Sequence, residues 1–302
     1  MAPEALNALE ESRVRRRFPK PATGTSHAAP LPSALFALLI SVLACGCQKM
    51  NLARHDGSPR AQLSALDDAS LQRLAERKIY FGHQSVGTNI IDGIRDLQRD
   101  LPRLHLTIIR NSNPAAVPGG AFVESLVGKN GDPASKTASF LAALDAGMGS
   151  HGGIAMYKYC FVDVSAGTDV SKMFAEYKAA SDVVRAKYPK VIPVHITIPL
   201  TASGRSLKTF ARFLLGKPNE QDLQLKRNQF NDLLRAEYGG KEPIFDLAAV
   251  ESTRLDGTRV SVYRGNYRVY SLASEFTSDG GHLNELGRRL AAEQLLLTLA
   301  RL

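Results

Sequence analysis

From Lys78 to the C-terminus, apolar runs of strand length alternate with longer segments whose apolar residues recur every three or four positions. That alternation leaves few folds open, because strands separated by helices pair in parallel and need cover on both faces. Five strands are expected, at Ile79–Phe81, Leu104–Arg110, Ile154–Val164, Val191–Ile198 and Pro243–Leu247. Helices are expected over Ser70–Lys78, from Val86, from Pro133, over Val170–Tyr188, over Glu220–Tyr238 and from Asn284. Asp132 as a cap with Pro133 at the first helical position is the strongest of these start signals. Right-handed crossovers then give a flavodoxin-like, five-stranded parallel sheet in a three-layer α/β/α sandwich, with any site at the strand carboxyl ends. Thr201–Pro218 is basic and reads as a surface insertion, and Leu255–Ser274 as a hairpin or a lid.

The first strand hands over to a helix within Phe81-Gly-His-Gln-Ser85-Val-Gly87, and Val86, Ile90, Ile94 and Leu97 continue at helical spacing. Ser85 therefore stands at the carboxyl end of a strand and at the start of a helix, where unpaired first-turn N–H groups favour negative charge. Two roles fit it: a helix cap, or a nucleophile whose developing oxyanion rests on backbone N–H groups. Asn89, one turn further on, can orient the loop. Near the other end is Thr277-Ser-Asp279-Gly-Gly-His282-Leu-Asn284, a Gly-Gly turn running into the last helix. Two readings fit this segment: a surface turn with an incidental histidine, or an Asp279 spaced to accept a hydrogen bond from His282 Nδ1, which leaves Nε2 free as a base.

A serine on the first strand-to-helix turn and an Asp-x-x-His before the last helix together resemble the SGNH (GDSL-type) hydrolases. Asp279-Gly-Gly-His282-Leu-Asn is close to that family's last block. The first block departs from it: Gly82-His-Gln-Ser85 has one residue more than Gly-Asp-Ser, and no Asp. The resemblance spans roughly residues 76–302 and implies Ser85 as nucleophile, His282 as base and Asp279 as the residue orienting it. It also implies an oxyanion held by the serine's own N–H, a Gly after the second strand and an Asn after the third. Gly131, in Asn130-Gly131-Asp132-Pro133, is the best match for that Gly, with Gly128, Gly119 and Gly120 as alternatives. The usual Gly-x-Asn-Asp is missing, and Tyr157-Lys-Tyr-Cys-Phe-Val-Asp163 stands in its place. Lys158, Cys160 or the N–H groups near Asp163 are the candidate replacements. Lys158 is equally a candidate for an ion pair with Asp163 or another acid. His83 and Gln84 occupy the place of the family's Asp, either lining the pocket toward the substrate's polar groups or satisfying backbone at the turn.

The N-terminus carries a different signal. A basic cluster, Arg13–Arg17 and Lys20, precedes an apolar run from Ala34 to Ala44, which is too short to span a bilayer. The run ends at Ala44-Cys45-Gly46-Cys47 and looks like a bacterial lipoprotein box, with Cys45 or Cys47 as the lipidated residue. Residues 1–47 are thus expected to be a signal segment, 48–68 a flexible tether, and 69–302 one hydrolase domain. The net charge of +9 is scattered along the chain, so nucleic-acid recognition is not expected. No metal-ligand pattern occurs and Gly147-Met-Gly-Ser-His-Gly152 lies before a strand rather than after one, so no metal and no cofactor are expected. The expected protein is a secreted or lipid-anchored esterase of the bacterial envelope, held to the membrane by its lipid. Its expected substrate is a small-molecule or glycan ester, with an O-acyl group of envelope carbohydrate or lipid as the class implied. The competing expectation is a catalytically silent envelope lipoprotein that binds glycan or a protein partner.

Overall fold

The computed structural model of the protein describes residues 63–111, 119–150, 152–203 and 219–302. Cys45, Cys47 and the whole expected signal segment lie outside the described residues, as do 204–218 of the expected basic insertion. Among the described residues no helix is long and apolar enough to cross a membrane.

The sheet is parallel throughout and consists of β1 (Ile79–His83), β2 (Thr107–Arg110), β3 (Ala121–Leu126), β4 (Gly153–Tyr157), β5 (Val191–Ile196) and β6 (Ile244–Phe245). Their order is β2-β3-β1-β4-β5-β6. The three-layer α/β/α architecture is as expected, with six strands rather than five. The additional strand is β3, which pairs with β1 and displaces β2 to the edge. Glu124 and Ser125 interrupt its apolar pattern, and both are nonetheless buried. β1 is buried along its whole length, as a central parallel strand must be.

The helices are α1 (Asp68–Glu76), α2 (Ser85–Asp100), α3 (Pro133–Ala143), α4 (Val170–Lys187), α5 (Glu220–Tyr238), α6 (Leu247–Ser252) and α7 (Glu285–Ala300). Apolar residues of α1, α2, α6 and α7 share one core on one face of the sheet. Those of α3, α4 and α5 share the other. Asp132 caps α3 by accepting from Ser135 N at 3.0 Å, with Pro133 in its first turn. The segment 255–274 contains a hairpin, β7 (Ser261–Arg264) against β8 (Tyr267–Tyr270).

Several boundaries differ from expectation by two or three residues, and two differ by more. The domain begins before residue 69: Leu63 is buried and its N–H donates to Glu293 Oε1 at 2.9 Å, so the end of the expected tether belongs to the core. β4 stops at Tyr157 instead of continuing to Val164. Lys158 N still donates to Gly82 O at 3.2 Å, but Asp163 Oδ2 then takes the Cys160 N–H at 2.7 Å and curls Phe161–Asp163 into a tight turn.

Helix α2 follows β1, α7 follows the Asp279–Asn284 loop, and the two lie side by side. Gly93 makes this close approach possible: a Cβ there would come within 2.2 Å of the Arg288 carbonyl oxygen. Arg288 Nε also pairs with Asp96 Oδ2 at 2.7 Å, in a contact that leaves the aspartate side chain 3% exposed. Replacing an exposed helical glycine by alanine ordinarily stabilises by about 1 kcal/mol. Gly93→Ala is expected to do the reverse, losing about 1–3 kcal/mol through overpacking in urea unfolding. A variant as stable as the parent would contradict this contact.

Candidate active site

The end of β1, the first turn of α2 and the loop before α7 converge at the carboxyl edge of the sheet. The first N–H of the α2 ladder is that of Thr88, donating to Gln84 O at 3.1 Å. The amides of Ser85, Val86 and Gly87 precede it, at the positive end of the helix. Ser85 Oγ lies 3.0 Å from His282 Nε2, and His282 Nδ1 lies 2.6 Å from Asp279 Oδ2. Residues 197 apart in sequence are thus joined into one hydrogen-bonded chain.

The Asp279–His282 half of that chain is local in origin. Asp279 Oδ1 accepts from the N–H groups of Gly281 (2.9 Å) and His282 (2.8 Å), so the carboxylate closes the turn and directs its other oxygen at the imidazole. The His282 ring first, and then the Gly281 N–H, hold the Asp279 carboxyl well below the usual carboxylate range. Asn284 caps α7 by accepting from Gly287 N at 3.0 Å, and Asn89 of α2 accepts from Leu283 N at 3.2 Å. Asn89 therefore ties the loop to the serine's own helix. With Nδ1 turned to a carboxylate and Nε2 to a hydroxyl, the imidazole is arranged to take a proton from Ser85.

The other candidates fall in different places. His83 does not line a pocket: it is fully buried, with Nε2 3.1 Å from Glu124 Oε2 and Nδ1 2.9 Å from Gln84 O. Glu124 is also bound by Arg110 Nε at 2.8 Å. Burial pushes the Glu124 carboxyl up, but the hydrogen bonds from His83 and Arg110 outweigh it and hold the group below its ordinary range. Gln84 donates to Val127 O (2.8 Å) and Gly128 O (3.0 Å), which braces the serine's turn against the loop after β3. Of the two readings of these residues, bracing is the one the contacts fit.

Gly131 is exposed, but its N–H already donates to Asp163 Oδ1 at 2.8 Å, and Gly128 N donates to Ser139 Oγ. Asn130 accepts at Oδ1 from Lys136 Nζ at 3.0 Å, which leaves its NH₂ as the free end of the amide. Asp163 is paired with Lys136, not with Lys158: Lys136 Nζ sits 2.7 and 2.6 Å from its two carboxylate oxygens, with both side chains fully buried. Asp163 thus gathers Lys136, the Gly131 N–H and the Cys160 N–H around one carboxylate and joins the loops after β3 and β4. Lys136 shares a helical stripe with the buried Phe140 and Ala143. A lysine on an apolar stripe is the sequence sign of such a buried partner.

Lys158 does not reach the surface. It is fully buried, with Nζ 3.5 Å from Tyr159 O and 3.6 Å from Cys160 Sγ, so it cannot touch a substrate directly. The acid that feels its charge is Glu251 on α6. Burial drives the Glu251 carboxyl up to about 8, against the Leu200 N–H bonded to Oε2 at 2.6 Å and the positive charges of Lys158 and Arg227. Its Oε1 is buried without a hydrogen-bond partner among the described residues. Because the folded-state value lies above the ordinary 4.5, stability is complete below about 4.5 and is lost as pH rises toward about 8. Glu251→Gln removes that loss. The stability difference between variant and parent is therefore expected to move in the variant's favour by a few kcal/mol between pH 5 and pH 9 in chemical denaturation. A pH-independent difference would contradict a protonated Glu251.

No protein-family model and no curated protein matches the sequence. Among solved structures, the chain is similar to a GDSL-like lipase from Bacteroides thetaiotaomicron, at 11% identity over 78% of this chain and 99% of that one, with a TM-score of 0.47. It is also similar to a member of the lipolytic protein G-D-S-L family from Veillonella parvula, at 15% identity over 74% and 98% of the two chains, with a TM-score of 0.41. An acetylxylan esterase from Geobacillus stearothermophilus matches at 11% identity over 74% and 94%, also with a TM-score of 0.41. Similarity at this level bears on neither substrate nor reaction.

Proposed function

We propose that the protein is a serine ester hydrolase of the SGNH type, exported and attached to the bacterial envelope through Cys45 or Cys47. The observation that carries the activity is the unbroken chain Ser85 Oγ, His282 Nε2, His282 Nδ1, Asp279 Oδ2, at 3.0 and 2.6 Å. Ser85 attacks the ester carbonyl while its proton passes to His282 Nε2. Asp279, anionic throughout, holds the imidazole in the required tautomer and stabilises the imidazolium. The tetrahedral intermediate collapses, His282 returns the proton to the departing alcohol, and an acyl-Ser85 ester remains. Water, deprotonated by the same imidazole, then releases the acid and restores the serine.

The oxyanion is assigned to the Ser85 N–H at the α2 terminus and the Asn130 NH₂. The amide of Gly131 is excluded by its bond to Asp163, and Lys158 by its burial. The proposed substrate is an O-acyl group of envelope carbohydrate or lipid, in keeping with the lipoprotein-like Ala44-Cys45-Gly46-Cys47 end of the apolar run. A silent, glycan- or protein-binding relative is the second reading, favoured by the same two lost oxyanion donors. Turnover separates the two.

The parent is expected to hydrolyse p-nitrophenyl acetate and to react with a fluorophosphonate probe, and Ser85→Ala to abolish labelling. Asp279→Asn is expected to lower kcat by about a hundred- to ten-thousandfold with the fold intact, because the imidazole is then held in the wrong tautomer. Labelling that persists in Ser85→Ala would remove the nucleophile, and a parent that neither turns over nor labels would leave the silent reading. For the anchor, radiolabelled palmitate is expected in the parent expressed in bacteria and not in the Cys45→Ala, Cys47→Ala double variant. Label retained in the double variant would overturn that attachment.

A further inference from the structure

We infer that Arg227 of α5 is a positioning residue for His282, acting through both flanks of the loop that carries the imidazole. This rests on the reading of Ser85, His282 and Asp279 as the reacting groups.

The side chain of Arg227 is only 3% exposed, and it contacts a support of that loop on each flank. Its Nε donates to Phe161 O at 2.9 Å, and the guanidinium carbon lies 5.9 Å over the Phe161 ring. The phenyl ring in turn meets the His282 imidazole nearly edge-on, with centroids 5.8 Å apart. It also lies so close to Gly281 that a Cβ there would come within 2.9 Å of it. One flank of residues 280–282 therefore leans on an aromatic ring that the arginine holds by both face and carbonyl.

The opposite flank is tied to the same cation. Arg227 Nη1 donates to Thr201 Oγ1 at 2.8 Å, and the next residue, Ala202, donates its N–H to Gly280 O at 2.8 Å. Thr201 O accepts from Leu272 N at 3.0 Å, so the supporting segment is itself fixed to the chain after the hairpin. Glu220 (2.6 Å) and Gln224 (2.8 Å) take the remaining Nη1 contacts, and Glu220 supplies the compensating charge. A planar fork that spans Phe161 and Thr201 at once is a task for guanidinium, and an ammonium can satisfy only part of it. Because a proton-transfer group misplaced by about an ångström loses up to a hundredfold in rate, the consequence belongs to catalysis as well as to stability.

The test uses the full chain with Arg227→Met, Arg227→Lys and Phe161→Leu, each first shown to be folded by circular dichroism. Two readouts are taken: kcat and KM on p-nitrophenyl acetate, and the proton NMR signal and pH titration of the His282 ring, which needs no turnover. Arg227→Met is expected to lower kcat about ten- to a hundredfold with KM little changed, to move the His282 titration, and to lose the downfield Nδ1–H signal. Arg227→Lys is expected to recover part of each. Should Arg227→Met not fold, Phe161→Leu carries the test, since it leaves the bonds to Glu220, Thr201 and Gln224 in place. An unchanged His282 titration in folded Arg227→Met, or in Phe161→Leu when the former does not fold, overturns the inference. Failure of the parent to turn over or label defeats the hydrolase reading instead, and the NMR titration then decides by itself whether Arg227 positions the imidazole.

Discussion

The lateral contact between α2 and α7 sets the distance on which the site depends. Ser85 opens the first of these helices and His282 stands three residues before the second, so the two helix N-termini carry the hydroxyl and the imidazole. Bringing the helices to touching distance at Gly93 and Arg288 brings their ends together as well. The Arg288–Asp96 pair and the Asn89–Leu283 hydrogen bond then remove freedom to slide or to lift the loop. A side chain on Gly93 would act on the site from beneath, by displacing one helix relative to the other, without touching any reacting group.

Around this axis the carboxyl edge of the sheet holds several buried ionisable groups. Glu124 is shared by His83 and Arg110, Asp163 is bound to Lys136, and Glu251 is kept neutral in a region that also contains Lys158. Buried ion pairs are a weak source of net stability, because desolvation offsets much of their attraction. Their effect here is geometric. Asp163 binds backbone N–H groups of two different loops, and the His83–Glu124 pair fixes the strand end from which Ser85 projects. Loops that would otherwise vary in conformation meet at defined points because leaving any of these charges unpaired would cost several kcal/mol.

Legibility from the sequence follows the range of the interactions. Asp132 with Pro133, Asn284, and the Asp279–His282 turn are satisfied within a few residues of themselves, and all are readable. The alternation of strands and helices is readable because burial on both faces imposes it. β3 escapes the pattern because Glu124 and Ser125 break its apolar run; their partners, Arg110, His83 and Tyr80, come from β2 and β1. β4 reads too long because Tyr157 to Val164 stays largely apolar, while a single carboxylate, Asp163, bends the chain away from the sheet. The partnership of Lys136 with Asp163 and the reach of Arg227 lie beyond pattern reading, since each depends on which loops the topology places side by side.

This division explains how the site can depart so far from Gly-Asp-Ser and Gly-x-Asn-Asp while its last block does not. The Asp279–His282 arrangement is built within four consecutive residues, where the Asp279 carboxylate accepts from the Gly281 and His282 N–H groups and from the His282 ring. The serine needs only a strand end, a helix start and a neighbouring helix at the right distance, and many sequences meet those conditions. His83 and Gln84 meet them by bracing the turn against Glu124, Val127 and Gly128. The proposed oxyanion donors are under a looser constraint still, because such a donor can come from any loop near the helix terminus. In this chain the Asp163–Lys136 pair holds Asn130 through Lys136 Nζ, which makes the position of an exposed amide a consequence of a fully buried ion pair.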